Sequence, residues 1–81
     1  MINDITEKIL SILKRMDINV EDNEADFITE NNIDSITFIE IILSIKEEFS
    51  ILVPDEYLIM EETNTVSKIA AFVDKIINGD V

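Results

Sequence analysis

The 81-residue sequence contains no cysteine and no histidine. Without cysteine, no disulfide can brace a domain of this size, so its core must come from packing alone. Cysteine and histidine are also the usual ligands of zinc and the commonest thiol nucleophile and general acid-base groups in enzymes. We therefore expect no metal site, no catalytic residue and no enzymatic activity.

Glycine and long apolar runs are equally scarce. The single glycine, Gly79, leaves no glycine-rich loop that could cradle a phosphate. No stretch approaches the roughly 20 apolar residues of a membrane span. The early Asp4, with no basic segment around it, is unlike a secretory signal. The sequence predicts a cytoplasmic protein.

Positive charge is scarce as well, with 6 Lys and Arg against 18 Asp and Glu, a net charge of -12. Such a surface repels nucleic acid and anionic membranes and attracts partners with basic patches. It also repels itself, which predicts a monomer whose stability rises with salt. The alternative is that the acidity serves solubility alone.

What the sequence does have is hydrophobic residues, 47% of the chain, placed at helical spacing. We expect a single domain over residues 1–81 and an all-α fold, a four-helix bundle. Three longer helices and one short third helix are predicted, with a long loop between helices one and two. The expected segments are a helix over about 2–16, a loop over about 20–34, and helices over 35–49, about 54–61 and about 66–77.

The second predicted helix has two apolar stripes. One contains Phe38, Ile42, Ile45 and Phe49, and the other contains Ile36, Ile39 and Leu43. A helix with so wide an apolar surface either lies at the centre of a bundle or offers its second stripe to a partner. Both interpretations remain open from the sequence.

The junction between the loop and this helix carries the serine Ser35 directly after Asp34. A phosphate ester at a helix start is stabilised by about 0.3–1 kcal/mol through the helix dipole. The simpler interpretation is that Ser35 caps the helix, a role worth about 1 kcal/mol.

Four segments in register resemble the acyl and peptidyl carrier protein family. Ile33-Asp34-Ser35-Ile36 is similar to the attachment motif, and Glu47-Glu48-Phe49 is similar to the end of the family's second helix. Ile51-Leu52-Val53-Pro54-Asp55-Glu56 resembles the run into the short third helix, and Thr63-Asn64-Thr65-Val66-Ser67-Lys68-Ile69 resembles the segment that opens the fourth helix. The resemblance covers nearly the whole chain.

The resemblance implies a 4'-phosphopantetheine arm on Ser35, transferred from coenzyme A by a phosphopantetheinyl transferase, with Asp34 helping to present the site to that enzyme and its metal. Acyl or aminoacyl intermediates would be held as thioesters on the arm and delivered to activating enzymes and synthases with basic docking patches. The implied partner-binding residues are Ile36, Ile39, Glu40, Leu43, Glu47 and Glu48.

The chain departs from the family pattern at three positions. Asn32 replaces the usual glycine, although asparagine tolerates a left-handed backbone. Thr37 and Lys46 reduce the acidity of the second helix. These departures favour a dedicated pathway, of polyketide, nonribosomal peptide or D-alanyl type, over general fatty-acid synthesis. The alternative from another class is an unmodified acidic helical protein-interaction module.

Overall fold

The fold is a bundle of helices joined by irregular segments. The structure, a computed structural model, describes the backbone of residues 2–79 and the side chains of residues 4–79. The helices are α1 (Ile2–Arg15), α2 (Phe27–Glu30), α3 (Ser35–Phe49) and α4 (Val66–Ile77), with 3-10 turns at Asp55–Tyr57 and Met60–Glu62. Residues 2–79 contain no strand. The all-α prediction is confirmed, and the predicted second helix is α3, with the predicted ends.

The core lies where α1 packs against α3 and α4. Isoleucines supply most of it, and their spacing places them along the inner face of each helix. The buried side chains are Ile5, Ile9, Ile12, Leu13, Phe27, Ile28, Phe38, Ile41, Ile42, Ile45, Val66, Ile69, Ala70, Phe72 and Val73. Ile77, in the final turn of α4, is 51% exposed and lies outside this core.

Three helix ends share one geometry without glycine. Asp17, Asn32 and Ser50 have left-handed backbones, with φ of 63°, 52° and 53°. In each case the next amide, that of Ile18, Ile33 or Ile51, donates to a carbonyl five residues back. This is the Schellman arrangement, in which an apolar residue follows the left-handed one and packs back on the helix. The turn expected at Asn32 is therefore confirmed.

Two local predictions needed correction. The loop between the first two long helices contains one helical turn, α2, whose Phe27 and Ile28 are buried as anchors of the loop. The short third helix consists instead of two 3-10 turns separated by an extended Ile59, with φ of -115° and ψ of 113°. No residue of either turn is fully buried, and only Tyr57 and Met60 pack partly against the core, so little packing offsets the cost of nucleating a regular helix.

Within residues 2–79, every helix is too short or too polar to cross a bilayer.

Candidate functional site

Ser35 is the first residue of α3, and its neighbour Asp34 caps the helix. The backbone N–H of Thr37 donates to the Asp34 carboxylate at 2.8 Å. The Ser35 side chain is exposed, and its hydroxyl makes no hydrogen bond to the residues that the structure describes. The interpretation of Ser35 as the helix cap is therefore wrong. Its hydroxyl remains available for chemistry.

The hydrogen bond from the backbone of Thr37 lowers the pKa of the Asp34 carboxyl below its ordinary value, and the Thr37 side chain contributes in the same direction. Asp34 is thus ionised throughout the neutral range. It places a fixed negative charge on the residue adjacent to Ser35.

The loop before Ser35 is fastened at two places. The Asn31 side chain donates to the carbonyl of Asn19 at 2.8 Å and accepts from the amide of Asn19 at 3.2 Å. Earlier in the same loop, the amide of Phe27 donates to the carbonyl of Asn64 at 3.2 Å. These bonds fix the path of the chain into the start of α3.

The start of α4 holds the same loop from the other side. The Ser67 hydroxyl donates to the Glu24 carboxylate, and the Ser67 amide donates to the carbonyl of Asn23 at 3.0 Å. Sequence reasoning missed Asn31, Asn64 and Ser67. Nothing in their local pattern indicates contacts with partners so distant in sequence.

The two apolar stripes of α3 have different environments. Phe38, Ile42 and Ile45 are buried, whereas Ile36 is 71%, Ile39 42% and Leu43 51% exposed. The second stripe is thus a surface feature and not part of the core. Ser35, Ile36, Ile39 and Glu40 line a shallow depression of about 330 Å³ beside the serine.

Glu47 and Glu48 lie at the other end of α3, away from this depression. At 1.5 Å per residue, Glu48 is about 20 Å along the helix axis from Ser35. Its carboxylate forms an ion pair with Arg15 of α1, with Nη2 3.6 Å from Oε1. The structure thus brings Asp34, Ile36, Ile39 and Glu40 close to Ser35, and it leaves the acidic pair remote.

The residues around Ser35 fit an attached phosphopantetheine group. The hydroxyl is free and exposed, and the apolar depression begins at its side. The amides of Ser35 and Ile36 have no acceptor among the described residues, because they belong to the first turn. Free amides and the positive end of a helix dipole favour a phosphate ester.

Comparison with known proteins gives one consistent result. The sequence model of the family described as "phosphopantetheine attachment site" matches residues 3–73. The acyl carrier protein of Buchnera aphidicola subsp. Acyrthosiphon pisum is 38% identical over 74 residues, covering 88% of this chain and 90% of its own. The acyl carrier protein of Akkermansia muciniphila is 32% identical over 78 residues, covering 91% and 94%. No solved structure matches the chain significantly.

Proposed function

The chain belongs to the carrier-protein family that has a phosphopantetheine attachment site, and we propose that Ser35 is the attachment residue and that the chain carries acyl intermediates. The observation that carries this proposal is the free, exposed hydroxyl of Ser35 at the start of α3, beside the ionised cap Asp34. A capping serine would have its oxygen engaged, whereas this one is ready to be esterified.

Attachment is a phosphoryl transfer from coenzyme A, catalysed by a phosphopantetheinyl transferase. The Ser35 oxygen forms a bond to the pantetheine-bearing phosphorus, the pyrophosphate bond breaks, 3',5'-ADP leaves, and a base of the transferase takes the serine proton. Asp34 contributes a fixed carboxylate next to the reacting hydroxyl, suited to orienting the site against a cationic or metal-bearing partner.

The attached arm supplies the thiol that holds cargo as a thioester. This matters because the chain has no cysteine and so no thiol of its own. The chain therefore acts as a carrier and leaves catalysis to its partners. The relatives' names favour acyl cargo. Thr37 and Lys46, which dilute the acidity of α3, favour a dedicated pathway, so aminoacyl and D-alanyl loading are tested beside acyl loading.

Partners dock on the exposed side of α3 around the serine. Ile36, Ile39 and Leu43 offer apolar contact, and Glu40 offers a carboxylate within the same patch. Glu47 and Glu48 form the far end of this surface. A net charge of -12 speeds the approach of enzymes with basic docking surfaces and opposes self-association, so we propose a monomer working in the cytoplasm.

The test is the intact mass of the protein before and after incubation with coenzyme A and a promiscuous phosphopantetheinyl transferase. Wild type should gain one phosphopantetheine group, and Ser35→Ala should gain none. Ser11→Ala, which removes another exposed serine hydroxyl on α1, is the matched control and should be modified like wild type.

A folded wild-type protein that stays unmodified, while a known carrier is modified in parallel, would overturn the proposal. The chain would then be better described as an acidic interaction module that uses α3 without an arm. After successful modification, loading with acyl-activating and aminoacyl-activating enzymes identifies the cargo class.

A further inference from the structure

The Ser35 end of α3 carries uncompensated negative charge. Asp34 and Glu40 are exposed, and neither forms an ion pair within the part of the chain that the structure describes. The sequence contains no Lys or Arg between Arg15 and Lys46. Glu40 is also the only charged residue lining the depression beside the serine.

The other end of α3 carries both signs of charge. Glu48 pairs with Arg15 at 3.6 Å, and Lys46 is an exposed cation immediately before Glu47. Arg15, Glu47 and Glu48 line one surface depression of about 420 Å³. Glu47 and Glu48 share this end with Arg15, Lys46 and also Lys8, whose Nζ lies 5.6 Å from the Phe49 ring centroid. The pair that reads as acidic in the sequence is therefore compensated by nearby cations.

Helical geometry separates these side chains further. At 100° per residue, Ile36, Glu40, Leu43 and Glu47 follow one line along the exposed crest of α3. Glu48 lies about 100° further round, on the flank that faces α1. Lys46 lies about 100° to the other side of Glu47, in line with Ile39. The crest is therefore acidic near Ser35 and flanked by cations near its end.

We propose that Arg15 and Lys46 select against partners whose cations extend to the far end of α3. Partners that do dock place one compact cationic group opposite Glu40. They also offer an apolar socket for Ile36, Ile39 and Leu43. This inference rests on the proposed function, because it concerns docking at the Ser35 site. The fitting partner is basic beside the arm and neutral or acidic about 15–20 Å along the helix.

The physical reason is that steering depends on charge that remains uncompensated at the surface. A partner's lysine that approaches Glu48 must compete with Arg15, which is already there. The same lysine meets repulsion from Lys46 before it reaches Glu47. Like charges facing one another are an effective means of rejecting wrong partners.

The test is a mutant cycle on modification by a promiscuous phosphopantetheinyl transferase, with kcat/KM measured at low ionic strength. Glu40→Gln should lower kcat/KM about threefold to tenfold, and Glu48→Gln less than about twofold. The double variant Arg15→Gln, Lys46→Gln should raise kcat/KM about twofold to fivefold. In that background, Glu48→Gln should lower it at least about threefold, because Glu48 is now uncompensated.

The double variant Lys68→Gln, Lys75→Gln is the matched control for net charge. It removes two positive charges from exposed positions on α4, and it should change kcat/KM less than the Arg15→Gln, Lys46→Gln variant does. Thermal unfolding of each variant separates docking effects from loss of folded protein.

Two results would overturn the inference. One is a loss in wild type that is as large for Glu48→Gln as for Glu40→Gln. The other is an unchanged kcat/KM in the variant that lacks both cations. Either result, with Ser35 still fully modified, contradicts the docking pattern alone. Absence of modification in wild type contradicts the proposed function itself.

Discussion

The Asp34 carboxylate accepts the backbone N–H of Thr37 at 2.8 Å and so fills the capping role that Ser35 could otherwise have taken. This contact divides two tasks between adjacent residues. Asp34 secures the helix, and Ser35 is left with an exposed hydroxyl. Substitutions at the two positions should therefore have separable effects.

Ser35→Ala should leave stability almost unchanged, within about 0.5 kcal/mol, because the lost hydroxyl has no hydrogen bond among the described residues. Asp34→Ala, the matched substitution one residue earlier, should lower Tm by several degrees because the helix loses its cap. Thermal unfolding by circular dichroism measures both. A loss for Ser35→Ala as large as that for Asp34→Ala would show that the serine has a capping role after all.

Lowering the pH should reveal the contribution of Asp34 to the free energy of unfolding. Its pKa in the folded protein lies below the ordinary value of 3.8, because the Thr37 amide stabilises the charged form. The stabilisation is complete above the unfolded-state pKa and is lost as the pH falls through the folded-state pKa. The difference in unfolding free energy between wild type and Asp34→Asn should therefore shrink as the pH falls below 3.8.

Asparagine is chosen because it also caps helices and does not titrate. Urea midpoints measured as a function of pH give the difference in unfolding free energy between wild type and Asp34→Asn. Charge repulsion elsewhere in the chain is common to both proteins and cancels in this difference. A constant difference through this range would contradict the lowered pKa. Asp26, whose pKa is lowered by the backbone amide of Thr29, should behave in the same way at the start of α2.

The two stripes of α3 predict opposite responses to truncation. Ile41 is fully buried, so Ile41→Ala should cost about 2–5 kcal/mol through lost burial and a residual cavity. Ile36 is 71% exposed, so Ile36→Ala should change stability by less than about 0.5 kcal/mol. The same substitution should instead weaken docking of the transferase. Chemical denaturation and modification kinetics on both variants would separate the two roles, and a large stability loss at Ile36 would contradict the surface assignment.

The left-handed residues at helix ends offer stabilising substitutions. Ser50 has φ of 53° without being glycine, asparagine or aspartate, so its backbone is strained there. Ser50→Gly should raise the free energy of unfolding by about 0.5–1 kcal/mol, after the greater backbone entropy of glycine is subtracted. Gly79→Ala is the reverse control. It should destabilise by a similar amount through φ alone, because a Cβ there would meet no atom within 4 Å.

Salt should stabilise the protein. With a net charge of -12, folding brings many like charges together, and screening relieves that repulsion. Raising NaCl from about 20 mM to about 300 mM should raise Tm, because the Debye length then falls from about 20 Å to about 6 Å and the repulsion is screened. A Tm that falls over this range would show that ion pairs such as Arg15–Glu48 outweigh the repulsion.

The sequence predicted the long helices well because their cores repeat at the helical period. It placed α3 at Ser35–Phe49 because a capping residue precedes the apolar stripes and a glutamate pair ends them. It could not choose which stripe was buried, since both have helical spacing. That choice depends on where α1 and α4 pack, which is a tertiary property.

The errors have a similar origin. The segment after Pro54 looked like one short helix, but Tyr57 stacks on Phe72 of α4 with ring centroids 4.7 Å apart, and the backbone turns extended at Ile59. Likewise, the pairing of Glu48 with Arg15 joins two helices and leaves no local signal. Contacts between distant parts of the chain decided these details.

The segment between α3 and α4 is held mainly by local backbone hydrogen bonds and by side-chain contacts with α4. The amides of Ile51, Tyr57, Leu58, Glu62 and Thr63 all donate to carbonyls within five residues. Side-chain contacts, such as the Tyr57 ring on Phe72, hold the segment to α4. From Ser50 to Thr63, before the Asn64 carbonyl that accepts from the Phe27 amide, the backbone bonds are only short-range, and such a stretch can open locally without unfolding the bundle. Its amides should therefore exchange with deuterium much faster than those of Ile41 or Ile69. The segment would then open locally while the three long helices stay folded.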